Sequence, residues 1–207
     1  MLKEADDEEY PHEGVQLWEN GPCWATTNIG ASKPEDYGYY FACSETKEKD
    51  YYDWSVEGDY KWGVYAENAE PKYGMTKYTA DVEGGDGLKT IQPGDDAATA
   101  NWGSQWRTPT YDEIEELIDK CEWTWDAAKN GYTVKGQNGN SIFLPSAGYF
   151  GGSDFFEAGA YGFYWSSSVD ESMPYEVHYL YLNSDLCALK PDSRYYGQSV
   201  RAVTDVK

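Results

Sequence analysis

Ile114, Leu117, Ile118 and Cys121 recur at i, i+3, i+4 and i+7, one apolar stripe at the helical period. Thr110 and Glu113 form a capping box after Pro109, acidic residues crowd the first turns where the helix dipole favours them, and Lys120 lies at the far end. The pattern predicts a helix over 110–121. A shorter helix is expected to start at Asp95 or Asp96, run through Ala97, Ala98 and Ala100, and end by Gly103. A third is expected where Ser32 caps, Pro34 occupies the first turn, Glu35 and Asp36 face the positive end and Gly38 stops it.

Elsewhere the period is two. Val15–Trp18 and Cys23–Thr27 read as strands around a turn at Asn20-Gly21-Pro22, and Tyr132–Val134 and Ser141–Leu144 as a hairpin turning at Asn138-Gly139. Further strands are expected over Phe163–Ser168, Tyr175–Asn183 and Ser199–Val203, whereas residues 44–92 read as long ordered loops. In Val177-His178-Tyr179-Leu180-Tyr181-Leu182 the alternation sends Leu180 and Leu182 to a core and turns Tyr179 and Tyr181 outward. The expected class is α+β: one domain over 15–207 with an antiparallel sheet and two to three short helices, preceded by an acidic tail over 1–14.

Composition changes this picture in three ways. Against 37 acidic residues stand 16 basic ones among 207, a net charge of −21, which argues against nucleic acid and anionic membranes as partners. A basic partner, a metal ion or a neutral ligand stays open. Aromatics make up 17% of the chain, with 20 Tyr and 9 Trp, so large rings with polar tips must build the core and spare tyrosines can serve as contact residues. No apolar run approaches the roughly 20 residues of a membrane-spanning helix, so no membrane insertion is expected, and the opening MLKEADDEEYPHEG does not read as a secretory signal. Cys23, Cys43, Cys121 and Cys187 allow three disulfide pairings; mostly free, buried thiols are the expectation.

Candidate chemistry is sparse. His12 and His178 are the two histidines, too few for a multi-histidine metal site, and His178 reads as a half-buried histidine with its hydrogen bonds satisfied. Ser166, Ser167 and Ser168 lack the Gly-x-Ser-x-Gly setting of a nucleophile. Asp81, Glu83, Asp86, Asp95 and Asp96 offer oxygen ligands to Ca²⁺, yet turn and N-cap roles explain them equally well. Neither a cofactor nor an enzymatic activity is expected.

Several segments in order carry a resemblance: Trp24-Ala25-Thr26-Thr27-Asn28-Ile29-Gly30-Ala31, Asp96-Ala97-Ala98, Asn101-Trp102-Gly103, Trp106-Arg107-Thr108-Pro109-Thr110, Asn138-Gly139-Asn140-Ser141-Ile142-Phe143-Leu144-Pro145, Tyr164-Trp165-Ser166-Ser167-Ser168 and Gly197-Gln198-Ser199-Val200-Arg201. Together they resemble the Fibrobacter major paralogous domain family of gut Bacteroidetes, related to the C-type lectin fold of formylglycine-generating enzymes. The C-terminal part is similar to the variable proteins of diversity-generating retroelements, in which a reverse transcriptase rewrites adenines in the coding sequence.

That resemblance implies a variable region over about 150–198 and a non-enzymatic display protein. Its ligand would be a protein or glycan on another cell or particle, and its place a cell surface or phage particle. Carried over residue by residue, the diversified ligand-binding positions are Phe156, Phe163, Tyr179, Tyr181, Leu186, Ala188, Ser193, Tyr195 and Tyr196. None is Glu, Gln, Lys, Met or Trp, the types that adenine randomisation of AAY codons cannot yield. Met173, Glu176, Lys190 and Gln198 are scaffold by the same rule, and Trp165 and Leu180 are expected beneath the tyrosine face.

The chain also departs from the families it resembles. Lys190-Pro191-Asp192 replaces the Glu-Pro-Asn or Gln-Pro-Asp of calcium-dependent lectins, and Cys187 stands without the second C-terminal cysteine of the formylglycine-generating enzymes. Both departures leave a display protein as the first expectation and an undiversified carbohydrate-binding module of the same family as the alternative.

Overall fold

Most alternating runs are short and broken by Gly, Asn and Asp, so most of the strands are short as well. The computed structural model, which describes residues 12–54, 60–65, 73–79, 85–170 and 173–205, has small antiparallel sheets with two helices, an α+β architecture. In chain order come β1 (Gly14–Gln16), β2 (Cys23–Ala25), β3 (Gly63–Tyr65) and β4 (Tyr73–Met75), then α1 (Ala97–Trp102) and α2 (Tyr111–Lys120). The meander β5 (Glu122–Asp126), β6 (Gly131–Lys135) and β7 (Ser141–Pro145) follows, then the hairpin β8 (Tyr149–Gly151) and β9 (Asp154–Phe156). The long strands β10 (Gly162–Val169), β11 (Glu176–Asn183) and β12 (Leu186–Ser193) form a second meander, and β13 (Val203–Thr204) returns to pair with β2.

Both predicted capped helices form. Thr110 accepts from the Glu113 backbone N–H while the Glu113 carboxylate accepts from Thr110 N at 2.8 Å, and Arg107 forks onto the same carboxylate. The stripe buries Ile114 and Leu117 completely. Asp96 caps α1 through Ala98 N and Thr99 N, and Gly103 ends it.

The third expected helix does not form. Residues around Pro34 make one turn, in which Asp36 Oδ2 accepts from Lys33 N at 3.1 Å and Asp36 N donates to Lys33 O. The Asp side chain thus competes for a backbone N–H near the expected start, and Gly38, at φ +75°, sits where any Cβ would fall 2.3 Å from Ile29 O. Too few residues lie between to repay helix nucleation. Three strands are also shorter than expected: Leu17 and Trp18 leave β1 for the core, β2 ends at Ala25 ahead of Thr26 and Thr27, and Ser199 pairs instead with Tyr164 through a parallel bridge. Within 44–92, β3 and β4 pair where only loop was expected. The packed chain starts ahead of Val15, since His12 stacks on Trp102 at 3.9 Å and Glu13 O accepts from Thr26 N.

The β10-β11-β12 sheet is packed on both faces. On one, Tyr164, Leu180 and Leu182 meet Ile114 and Leu117 of α2, Val134, Ile142 and Leu144 of the first meander, and Trp18 and Trp24. On the other, Phe163, Trp165, Val177 and Tyr179 meet Ile29, Phe41, Tyr78, Trp106, Val200 and the alanines of α1. The outward turn expected for Tyr179 is therefore corrected. Trp165 is corrected too, because it pairs with Tyr179 and shares that face, not the face of Leu180. The reason is that segments around Phe41 and Tyr78 cover this end of the sheet, anchored by Trp165 Nε1 donating to Phe41 O at 2.8 Å.

Two arginines hold this core from inside. Arg201, fully buried, donates to Asn28 Oδ1 at 2.9 Å and Ala25 O at 3.1 Å; Arg194 donates to Tyr78 O at 2.8 Å and Lys77 O at 3.3 Å. Carbonyl dipoles replace part of the water such charges lose on burial, while Arg201 Nη2 is left without a hydrogen-bond partner and burial pulls the Arg201 guanidinium down to about 10. No disulfide joins the cysteines: Cys23 and Cys43 are buried, Cys121 and Cys187 partly so. Among the described residues no helix is long and apolar enough to cross a membrane.

Candidate functional site: an aromatic cleft beside the edge strand

β12 is the edge of its sheet, and an edge tolerates Pro191, which has no N–H to give. Its register fixes what shares a face with the tyrosines: Ala188 lies opposite Tyr181 and Lys190 opposite Tyr179, so Leu186, Ala188, Lys190 and Asp192 all lie on the side of Tyr179 and Tyr181. The covering segments stop short of Tyr181. There the face opens into a cleft of about 290 Å3 lined by Tyr149, Tyr161, Phe163, Tyr181 and Tyr196 with the carboxylates of Glu157 and Asp192.

Its rings form one connected set. Phe163 stacks on Tyr179 at 5.6 Å and meets Tyr181 edge-on at 5.8 Å; Tyr149 lies 4.8 Å from Phe163, 5.4 Å from Tyr196 and 5.3 Å from Phe156. Tyr161 closes the other side, 5.7 Å from Tyr181. The β8–β9 hairpin brings Tyr149 and Phe156 here, and Gly151 makes room, since a Cβ on it would stand 3.1 Å from the Tyr196 ring. After the hairpin Glu157 adopts φ +62°, a left-handed conformation disfavoured for a residue with a Cβ. Its carbonyl accepts from Ala160 N and Tyr161 N, fixing Glu157 and Tyr161 against one another.

Burial governs the electrostatics. It pushes the Asp192 carboxyl up to about 6, against the Ser193 N–H bonded to it at 2.7 Å and with Glu176 adding repulsion. Gln198 Nε2 donates to its other oxygen at 3.3 Å. Burial likewise raises Tyr149, and the nearby Tyr196 phenol and the Asp192 and Glu157 charges raise it further. At the rim the Lys190 ammonium stands over the Tyr181 ring, 3.5 Å from its centroid.

The nine expected positions separate clearly. Tyr181, Ala188 and Tyr196 are partly exposed at the cleft or on its face, Phe156 and Leu186 are exposed beside it, and Phe163 and Tyr179 are buried at its floor. Tyr195 turns away towards Trp54, 6.1 Å distant, although it stays 4.3 Å from Tyr196. Ser193 lies opposite Glu176, off the tyrosine face. Tyr149, Glu157, Tyr161 and Asp192 belong to the cleft and were missed, and Lys190, read as scaffold, stands at its rim. Extending the period of two from Ala188 would have found Lys190 and Asp192; Pro191 hid that strand.

On the opposite face, His178 Nε2 lies 3.5 Å from Asp170 Oδ2 and its ring meets Tyr111 edge-on at 4.8 Å, at the wall of a larger hollow of about 510 Å3. The half-buried placement was foreseen, but the expected satisfaction is corrected: Nδ1 is buried without a hydrogen-bond partner, and the carboxylate beside Nε2 was not expected. Ser166 Oγ donates to His178 O at 2.7 Å and Ser168 Oγ accepts from Tyr111 N, so both hydroxyls serve the backbone.

The acidic residues offered for Ca²⁺ are occupied where they are described. Asp86 accepts from Tyr78 N, Thr79 N and Leu88 N, and Asp95 from Lys61, Lys77 and the Tyr78 hydroxyl, while Asp81 and Glu83 lie outside the described residues. Among the described residues no group of three or more His, Cys, Asp or Glu side chains is arranged to hold a metal ion. The cleft therefore offers ring faces, phenol groups and two carboxylates, contacts suited to holding a ligand. No family model, no curated protein and no solved structure matches this chain.

Proposed function

We propose that this chain is a non-enzymatic ligand-binding display protein of C-type lectin fold, the variable protein of a diversity-generating retroelement. It presents its diversified face to a protein or glycan on another cell or particle, from a cell surface or phage particle, and not to nucleic acid. One observation carries the reading: Phe156, Tyr181, Leu186, Ala188 and Tyr196 are accessible along one aromatic face at the open end of the sheet, while the rest of the sheet is packed on both sides. Change at the accessible positions can alter contacts without emptying the core. Phe163 and Tyr179, buried at the floor, are the positions of the nine whose variation the core restricts most.

That restriction favours a second reading, an undiversified carbohydrate-binding module, in which fixed rings stack on a sugar and Asp192 and Glu157 accept its hydroxyls. Sequencing the locus and its population variants separates the two. The display reading expects a reverse transcriptase gene, a near-copy of the coding sequence for Phe163 to Tyr196, and substitutions confined to adenines at codons such as those of Tyr181 and Ala188. An invariant locus with neither companion would favour the sugar-binding module.

A further inference from the structure

The cleft combines electron-rich rings on its walls with carboxylates that have no cation of their own. Among the described residues neither Asp192 nor Glu157 has an ion-pair partner, and the groups donating to Asp192 are the neutral Gln198 amide and the Ser193 N–H. A half-buried carboxylate so placed gains most from a ligand that brings positive charge. The walls favour the same ligand, because the faces of Tyr rings attract cations: Lys190 covers Tyr181 at the rim, and among the described residues no cation covers Tyr149 or Tyr196. The whole chain adds a field in the same sense, with a net charge of −21.

We propose that this cleft takes the ammonium or guanidinium group of a lysine or arginine side chain on a protein partner. The inference rests on the display reading for where the ligand docks and adds what its anchoring group is. The cleft opens to solvent beside the exposed ring of Phe156, which stacks on Tyr149, and the exposed Leu186, which would meet the partner's surface around the seated side chain. In the seated state the cation lies against the rings of Tyr149 and Tyr196, beside the Tyr181 ring that Lys190 covers, with Asp192 as its counter-ion and Glu157 at the mouth. Charged hydrogen bonds made away from bulk water are the strong ones, so Asp192 contributes more than the exposed Glu157.

The test is an NMR titration of the whole chain with acetyl-Gly-Lys-Gly-amide and with the same peptide acetylated on the lysine nitrogen. The lysine peptide is expected to shift the ring signals of Tyr149, Tyr181 and Tyr196, and the acetylated peptide to leave them in place. Asp192→Asn keeps the shape, removes the charge and should weaken binding about tenfold, the loss of a hydrogen bond to a charged group. Glu157→Gln should weaken it less. Equal shifts with both peptides, no shift with either, or a response to tetramethylammonium alone would overturn the assignment. Failure here beside adenine-restricted variation at the locus would remove the cation and keep the display reading; an invariant locus beside lysine binding would do the reverse.

Discussion

Tyr179 and Tyr181 stand two residues apart on one face of β11, yet Tyr179 lies buried against Phe163 while Tyr181 stands at the open cleft under the Lys190 ammonium. The same residue type therefore does two jobs within one strand. Tyr179→Ser should cost about 3 to 5 kcal/mol, as for other large rings removed from a packed core. Tyr181→Ser should cost less than about 1 kcal/mol. Equilibrium urea unfolding of the two variants reads the difference directly. Equal losses would place Tyr181 in the core and remove it from any display face.

The helix behind the sheet supports that face from below. Leu117→Ala should lose about 2 to 5 kcal/mol, because Leu117 is fully buried between α2 and the first meander. Thr110→Ala removes one half of the capping box and should lose about 1 kcal/mol. Thermal unfolding that ranked Thr110→Ala above Leu117→Ala would mean that the cap, and not the stripe, fixes α2.

Asp192 makes stability depend on pH. Its folded carboxyl titrates at about 6, above the ordinary value of 3.8, so the folded state holds this proton more tightly than the unfolded chain. The favourable contribution is full below 3.8 and is lost as pH rises through about 6. Asp192→Asn should then stabilise the chain by about 1 to 2 kcal/mol at neutral pH, after allowing for partial solvent screening, and the gain should vanish near pH ~3.5. A loss of stability at neutral pH would show that the carboxylate is already compensated within the fold. Retaining a charge that weakens the folded state is what a binding site does.

How much of this was legible in the sequence follows from which signals are local. The capping box at Thr110 and Glu113, the cap at Asp96 and the hairpin at Asn138-Gly139 depend on neighbours a few residues away, and all three form. The alternation along Val177–Leu182 correctly separated two faces, but covering Tyr179 takes Phe41 and Tyr78, far off in the chain, and alternation carries no information about them. β12 escaped because Pro191 argues against a strand anywhere except an edge, and edge position is a property of the assembled sheet. Glu157, Tyr149 and Tyr161 reach the cleft through the β8–β9 hairpin and the left-handed turn after it, which no period announces.

The exposed side of this cleft should vary freely on a fixed scaffold. The most direct measurement is a display library with Phe156, Tyr181, Leu186, Ala188 and Tyr196 randomised together, sorted for resistance to proteolysis, beside a matched library at Phe163, Trp165, Tyr179, Leu180 and Leu182. The first library should keep most of its members folded, since surface changes usually fall within about 0.5 kcal/mol each, and the second should lose nearly all. Equal survival of the two libraries, or collapse of the first, would mean that the exposed positions are bound into the scaffold and no free display face exists.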